Sequence, residues 1–217
     1  PHAPVIALRV DRNDHSGARG TVTIEAMSLP LATDADRARL AAAREDAAAC
    51  LAFPDLQRGK EAATSYAAAA TSWGEVGDDR RQGHALLHAS GAHYQRQSDW
   101  ASSSDFAGRA FTMLEGVDAP AHAAFALRLQ GAALDQLANA SNYDVGNRER
   151  TVKRARDRLT QAADRFRALG MDYEAGYALS YRGVSHANAG DLGRGREDFR
   201  AAVERFRAAG DAPAQAV

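Results

Sequence analysis

The chain has 217 residues, a formal net charge of −1 and 45% hydrophobic residues, so it is long enough for one sizeable core or one extended array of repeats. The near-neutral charge gives no electrostatic reason to expect a nucleic-acid or membrane-surface partner, and no apolar run approaches the roughly 18 residues of a spanning helix. A single cysteine, Cys50, excludes an intrachain disulfide and a cysteine-rich metal site.

Residues 1–30 are predicted to form a β-hairpin and a linker. Residues 5–10 and 21–26 alternate apolar with other side chains, and the segment between them, RNDHSGARG, is rich in turn formers. Ser28, Leu29 and Pro30 then form the linker. Because two strands alone are marginal in water, the hairpin should pack on the first helices or on sequence outside this chain.

Residues 31–217 are predicted to form one helical repeat domain. Periodic apolar positions and capping residues place helices at residues 34–52, 59–76, 78–97, 100–114, 119–138 and 148–169, followed by a helix pair within residues 177–210. The first helix should bury a stripe of Leu40, Ala43, Ala47 and Leu51, with Cys50 as a buried, inert thiol. The second should turn Tyr66, Ala69, Ala70 and Trp73 inward.

Two sets of glycines recur along these helices. A glycine followed closely by aspartate ends a helix four times, at Gly77, Gly116, Gly170 and Gly210, which are 39, 54 and 40 residues apart. A second glycine lies mid-helix, four residues after a leucine, at Gly91, Gly131 and Gly183. A helical glycine costs about 1 kcal/mol relative to alanine, so its recurrence predicts close helix crossings. The longer interval places about a dozen extra residues between Ala138 and Leu159.

The pattern L-x-x-x-G-x-x-Y, then G-D, then A-x-x-x-F, resembles the tetratricopeptide repeat (TPR) over roughly residues 34–217. The spacing near 40 resembles the long-helix repeats of kinesin light chains and of bacterial CHAT-type peptidase proteins. This resemblance implies an all-α, right-handed α-solenoid of TPR-like helix hairpins, preceded here by the short β-hairpin. It also implies that a protein or peptide partner binds in the concave groove.

The layout of the N-terminal segment, a β-rich lead, then SLPLATDADRARL, then an Ala-rich helix, resembles the region ahead of the peptidase in CHAT proteins. That implies regulation of a peptidase domain that this chain does not contain. The chain starts at Pro1 without Met and ends on DAPAQAV, which reads as the beginning of another helix. We therefore expect a fragment of a longer protein, with a periplasmic or secreted location favoured and a cytoplasmic one left open. An uncovered solenoid end also predicts self-association.

The TPR resemblance assigns the groove contacts to first-helix positions two, five, nine, twelve and thirteen. The residues at these positions are His88, Gln95, Arg96, Phe125, Arg128, Asp135, Gln136, Tyr177, Ser180 and Asn188. The ninth position holds Ala92, Ala132 and Val184, where chaperone-binding TPRs place asparagine to hold a C-terminal carboxylate. The predicted ligand is therefore an extended peptide or a helix and not a chain terminus.

Two further groups of residues can be interpreted either as functional sites or as ordinary structural features. Arg150, Arg154 and Arg158 form a basic stripe at i, i+4 and i+8, which is either a solvated face or an accessory contact for an acidic partner. His84 and His88 lie at i and i+4, but two ligands without a third make a weak metal site.

No catalytic motif, cofactor motif or metal site is recognised, so the predicted function is a non-catalytic interaction scaffold. The alternatives are a structural spacer or oligomerisation arm without a ligand, and a metal-dependent enzyme fragment.

Overall fold

The computed structural model describes residues 33–53, 58–140 and 144–210. This part of the chain is all-α, with eight α-helices and no strand, while the predicted hairpin of residues 1–30 lies outside it. The helices are α1 (Asp34–Ala52), α2 (Gly59–Glu75), α3 (Asp79–Ala92), α4 (Trp100–Gly116), α5 (Pro120–Asn139), α6 (Val145–Ala168), α7 (Asp172–Asn188) and α8 (Leu192–Ala208). A π-helical turn, His93–Gln97, continues α3.

Short polar side chains start most of these helices. The side chains of Asp78, Asp99 and Asp191 each accept a hydrogen bond from the backbone N–H three residues later. Thr33 and Asp36 form a reciprocal capping box at α1. These bonds satisfy N–H groups that have no partner within the helix, which is why Asp78 and Asp191 lie at the observed starts of α3 and α8.

Left-handed backbone positions end the helices. Gly77, Gly170 and Gly210 have φ between 69° and 74°, as the predicted stops require. Gly116 does not follow the prediction, because it is the last residue of α4 and Asp118 has the positive φ of 50° instead. The left-handed positions that follow α2, α4, α6 and α8 therefore lie 41, 52 and 40 residues apart.

Each helix packs against the helix that follows it, and α3 also touches α5 as α5 touches α7. This is the contact pattern of helix pairs stacked in chain order. The core is divided into small clusters, one around Trp73, Leu86 and Leu114 and another around Leu127, Phe166 and Phe206. Alanine supplies most of the other buried positions, so neighbouring helix axes can approach closely.

Two of the three predicted glycine crossings are present. A Cβ on Gly131 would lie 2.6 Å from Leu159 Cγ and 2.9 Å from the Ala155 carbonyl oxygen, and one on Gly183 would lie 3.2 Å from the Gly195 carbonyl oxygen. The prediction for Gly91 is wrong, because nothing lies within 4 Å of a Cβ placed there.

Ser90 takes the place of Gly91 at the crossing. The Ser90 side chain is fully buried, and its hydroxyl donates to the Ser103 carbonyl oxygen at 2.7 Å. The π-helical turn after α3 holds one residue more than the matching part of α7, since the N-caps Asp78 and Asp99 are 21 residues apart while Met171 and Asp191 are 20 apart. Aligning glycine with glycine therefore misplaced the register by one residue.

The predicted insertion lies between α5 and α6. Helix α6 has 24 residues against 17 in α4 and α8, and α5 has 20 against 17 in α7. The carbonyl of Ala155 meets Gly131 in the same way that the carbonyl of Gly195 meets Gly183, so α6 is extended by about two turns at its N-terminus. Packing resumes in register after the extension, as the sequence predicts.

The predicted buried stripe of α1 is wrong. Leu40 and Leu51 are 51% and 75% exposed, while Ala42, Ala49 and Ala52 are fully buried. Cys50, predicted as a buried thiol, is exposed, and its Sγ accepts a hydrogen bond from the Tyr66 hydroxyl at 3.4 Å. The reason is compositional: when alanine occupies most of a helix, several faces satisfy the periodicity, and the face with the smallest side chains packs most closely against α2. The inward face predicted for α2 is confirmed.

Candidate functional site

A groove opens between the helices that begin each repeat. We call it the central groove; it has a volume of about 360 Å³. Its wall is aromatic and polar, with side chains from α2, α3, α5, α7 and the π-helical turn. The lining side chains include Tyr66, His88, Tyr94, Gln95, His122, Phe125, Arg128 and Tyr181.

The central groove contains four of the ten residues predicted as groove contacts: His88, Gln95, Phe125 and Arg128. Tyr177 and Ser180 instead line a separate apolar cleft of about 430 Å³ between α7 and α8, together with Val184, Phe199 and Phe206. We call this the end cleft. Asn188 lies at the margin of a third cavity beside α6. The predicted single groove is thus divided between three cavities.

The side chains of the other three predicted contacts pack against neighbouring residues and line none of these three cavities. Arg96 stacks on Phe53, with its Cζ 5.0 Å from the ring centroid. Asp135 is buried and accepts hydrogen bonds from Asn139 and Asn188, which ties α5 to α7. Gln136 is half-buried on α5. The one-residue shift in register moved Arg96 off the groove, because the π-helical turn rotates the residues after Ala92.

Arg128 lies where α5 and α7 meet at the groove. Its guanidinium is within 6 Å of two ring centroids, 5.2 Å from Phe125 and 5.8 Å from Tyr177. Its Nη1 is 3.1 Å from Glu174 Oε2, an ion pair without the angle of a hydrogen bond. The guanidinium of Arg128 has N–H groups that are not used in hydrogen bonds, so it can donate to a peptide carbonyl or to a carboxylate of a ligand.

Tyr94 and Tyr181 were missed as groove residues. Burial raises the pKa of Tyr94 to about 12, with Tyr181 and Asp135 adding to the effect, so its hydroxyl is a neutral donor at neutral pH. Tyr181 lies one turn after Tyr177 on α7. The signal that could have found both is that aromatic residues recur on the first helices of the repeats.

The histidines beside the groove pack against other rings. His88 stacks on Tyr66 with ring centroids 5.2 Å apart, and His84 lies 4.2 Å from His122 by the same measure. Burial lowers the pKa of His84, and the positive charges that His122, His88 and Arg80 can carry lower it further. Asp46 acts in the opposite direction and raises it. The described part of the chain contains no group of three or more His, Cys, Asp or Glu that could hold a metal ion.

The predicted basic stripe does not lie on one surface. Arg150 faces the cavity beside α6, whereas Arg154 lines a separate cavity of about 430 Å³ against α4 and α5. Arg158 is half-buried, with its Cζ 5.8 Å from the centroid of Phe111 and an Nη1 that donates to Gln161. Within the described ranges, no helix is long and apolar enough to cross a membrane.

Comparison with known proteins identifies no family for this chain. No protein-family model matches it. No curated protein matches it either. Among solved structures it is similar to the crystal structure of BtubC (BKLC) from P. vanneervenii, with a TM-score of 0.47 and 14% sequence identity over 85% of this chain and 87% of that chain.

Proposed function

We propose that the chain is a non-catalytic protein–protein interaction scaffold that holds an extended peptide or a helix of a partner protein in the central groove. In this proposal the helix pairs form a right-handed solenoid of the TPR type. Because each pair buries its apolar face only against its neighbours, the array is a stiff platform for ligand side chains.

The observation that carries the proposal is the convergence of aromatic side chains and one arginine on the central groove. Phe125 and Arg128 come from α5, Tyr94 from the π-helical turn and Tyr181 from α7, so three helix pairs supply side chains to one groove. Aromatic residues and arginine supply most of the binding energy in protein interfaces. The absence of an asparagine at the ninth position favours internal peptide segments as ligands.

A random-peptide library selected on the immobilised chain tests this proposal. Selected peptides should lose at least about tenfold in affinity on Arg128→Ala, a loss of about 1.4 kcal/mol. Arg109→Ala is a matched control, because Arg109 also lies over a ring, 5.4 Å from the centroid of Phe106, and beside a carboxylate, Asp105. Failure to enrich any peptide, or equal binding to the Arg128→Ala variant, would refute groove binding.

The resemblance to regions ahead of CHAT peptidases supports a narrower form of this proposal. The scaffold would regulate a peptidase domain attached to it, by presenting or withholding a bound peptide. The test is whether a groove ligand changes the activity of the longer protein.

A second function, an oligomerisation arm, is favoured by the end cleft. Val184 and Phe199 are 38% and 37% exposed there, beside the rings of Tyr177 and Phe206. A second copy of the chain could cover these exposed apolar side chains, because exposed apolar patches mark association surfaces.

A further inference from the structure

A large cleft with an excess of basic side chains lies beside the N-terminal extension of α6. We call it the basic cleft; its volume is about 1030 Å³. The extension of α6 forms one wall, and the end of α7 with the start of α8 forms the other. Its charged lining residues are Arg148, Glu149, Arg150, Lys153, Arg156, Asp157, Arg182, Asp191 and Arg194. The insertion therefore creates a cavity that the other repeats do not have the helix length to form.

The floor of the basic cleft is a network that is already satisfied. Arg182 bonds both carboxylate oxygens of the buried Asp198 and donates to Thr160 Oγ1 at 2.8 Å. Arg156 donates to the carbonyl and hydroxyl oxygens of Ser185 at 2.7 and 3.2 Å. These bonds join α6, α7 and α8, so a ligand would meet a preorganised surface.

The α6 wall carries the unused charge. Arg148, Arg150 and Lys153 form no ion pair with any residue in the described part of the chain, whereas Arg194 and Arg182 are paired with Asp191 and Asp198. Arg148 Nε is buried without a hydrogen-bond acceptor among the described residues. With Arg156 counted and Glu149 and Asp157 subtracted, the wall keeps two positive charges in a chain whose net charge is −1.

A second buried polar group in the basic cleft also lacks a partner. His186 is only 9% exposed, and its Nδ1 forms no hydrogen bond with the described residues, although Asp191 Oδ2 is 3.8 Å away. Burial and the nearby Arg156 lower its pKa, so the ring is neutral at neutral pH and can donate or accept one more hydrogen bond. Both groups can form a hydrogen bond with a ligand that carries polar oxygen atoms, and Arg148 adds a positive charge that favours an anionic one.

The spacing of the wall cations indicates the shape of that ligand. From Arg148 to Arg156 the helix rises about 12 Å, at 1.5 Å per residue. Alternate side chains of an extended peptide are about 6.7 Å apart, so carboxylates at three alternate positions span about 13 Å. The phosphates of a single nucleotide would be concentrated at one end of the cleft and would leave the other cations unpaired.

We propose that the basic cleft binds an extended acidic peptide segment whose alternate carboxylates pair with Arg148, Arg150, Lys153 and Arg156. This inference rests on the proposed interaction function and adds a second, charge-selective site to it, separate from the central groove. The predicted stripe of Arg150, Arg154 and Arg158 is replaced by this set. Nucleic acid is disfavoured because the cleft has no Phe, Tyr or Trp side chain among its described lining residues on which a base could stack.

Fluorescence anisotropy with the complete 217-residue chain tests the proposal. The probe is a labelled peptide of about twelve residues that alternates glutamate and serine, and its control replaces glutamate with glutamine. The cleft variant is Arg148→Gln, Arg150→Gln, Lys153→Gln. The matched variant is Arg154→Gln, Arg196→Gln, Arg200→Gln, which removes the same charge from exposed positions outside the cleft.

The glutamate peptide should bind the natural chain and weaken with added salt, because partly exposed charges are screened. The cleft variant should lose at least about tenfold in affinity, and the matched variant at most about threefold. Equal losses in the two variants, or no binding of the glutamate peptide, would overturn the proposal. Binding of inorganic tripolyphosphate that the cleft variant abolishes, without peptide binding, would overturn it in favour of a phosphate ligand.

One additional variant separates this inference from the proposed function. Arg128→Ala in the central groove should leave binding of the glutamate peptide unchanged. If library peptides fail to bind the groove while the acidic peptide still binds the cleft, only groove binding is refuted. If the reverse holds, only the basic cleft is refuted.

Discussion

The helix crossing at Gly131 provides a direct test of the packing. In Gly131→Ala, the new Cβ would lie 2.6 Å from Leu159 Cγ and 2.9 Å from the Ala155 carbonyl oxygen. Ordinary contacts between carbon atoms are about 3.5–4.0 Å, so Leu159 or the α6 backbone must move by nearly 1 Å. Leu159 is fully buried and Ala155 contributes backbone, so neither can swing into solvent.

The expected magnitude is a balance of two terms. Overpacking a core position costs about 1–3 kcal/mol, while replacing a helical glycine with alanine returns about 1 kcal/mol. The net loss in the free energy of unfolding should therefore be up to about 2 kcal/mol, which for a chain of this size lowers Tm by up to about 8 °C. Thermal and urea unfolding followed by circular dichroism at the helix band measure both quantities.

Gly91→Ala is the matched control. Gly91 is also helical, but a Cβ there meets nothing within 4 Å, so only the propensity gain of about 1 kcal/mol should remain and Tm should rise. Gly183→Ala should lie between the two, because the closest side chain is the exposed ring of Phe199. A rise in Tm for Gly131→Ala would contradict the close crossing at Gly131, and a fall for Gly91→Ala would contradict the one-residue register correction.

The buried histidines and the end cleft give two further predictions. The folded chain holds the pKa values of His84, His88 and His186 below the ordinary value of 6.5, so the unfolded chain binds more protons at these residues. Tm should therefore fall as the pH drops from about 7.5 to 5.5. His84→Gln should make this fall smaller, and an unchanged pH dependence in that variant would contradict the lowered pKa of His84. In light scattering at high concentration, the chain should show a mass above that of the monomer. Phe199→Ser should restore the monomer, whereas Leu192→Ser, which changes an exposed leucine outside the end cleft, should not. A natural chain that stays monomeric would contradict association through the end cleft.

Much of the helical framework could be predicted from the sequence because it depends on local interactions. Capping aspartates such as Asp78 and Asp191, and left-handed glycines such as Gly77 and Gly170, act on the backbone within three or four residues of themselves. The six helices with predicted bounds begin and end within three residues of the observed ones when the π-helical turn is counted with α3. The insertion between α5 and α6 could also be predicted from the sequence, because the apolar stripe resumes in register after it.

The candidate sites could be predicted only in part. Position within a repeat identified His88, Gln95, Phe125 and Arg128, whose side chains do line one groove. It could not separate them from Tyr177 and Ser180, because the division into cavities depends on how α7 packs on α8. It also could not identify Arg148, Lys153 and Arg156 as partners of Arg150, because the second wall of the basic cleft comes from residues about 30 positions later.

The positions of the helices, their ends and their repetition follow from the sequence, since each of these features depends on residues close together in the chain. The tertiary structure alone decided which face each helix buries and which side chains share a cavity. Helix α1 buries Ala42 and Ala49 and exposes Leu40 because close approach between helices can outweigh side-chain hydrophobicity in an alanine-rich array. Ser90, and not Gly91, occupies the crossing because it lies 12 residues after the N-cap of its helix, as Gly131 and Gly183 do. The extra residue of this helix pair lies later, in the π-helical turn, and glycine spacing alone does not reveal it.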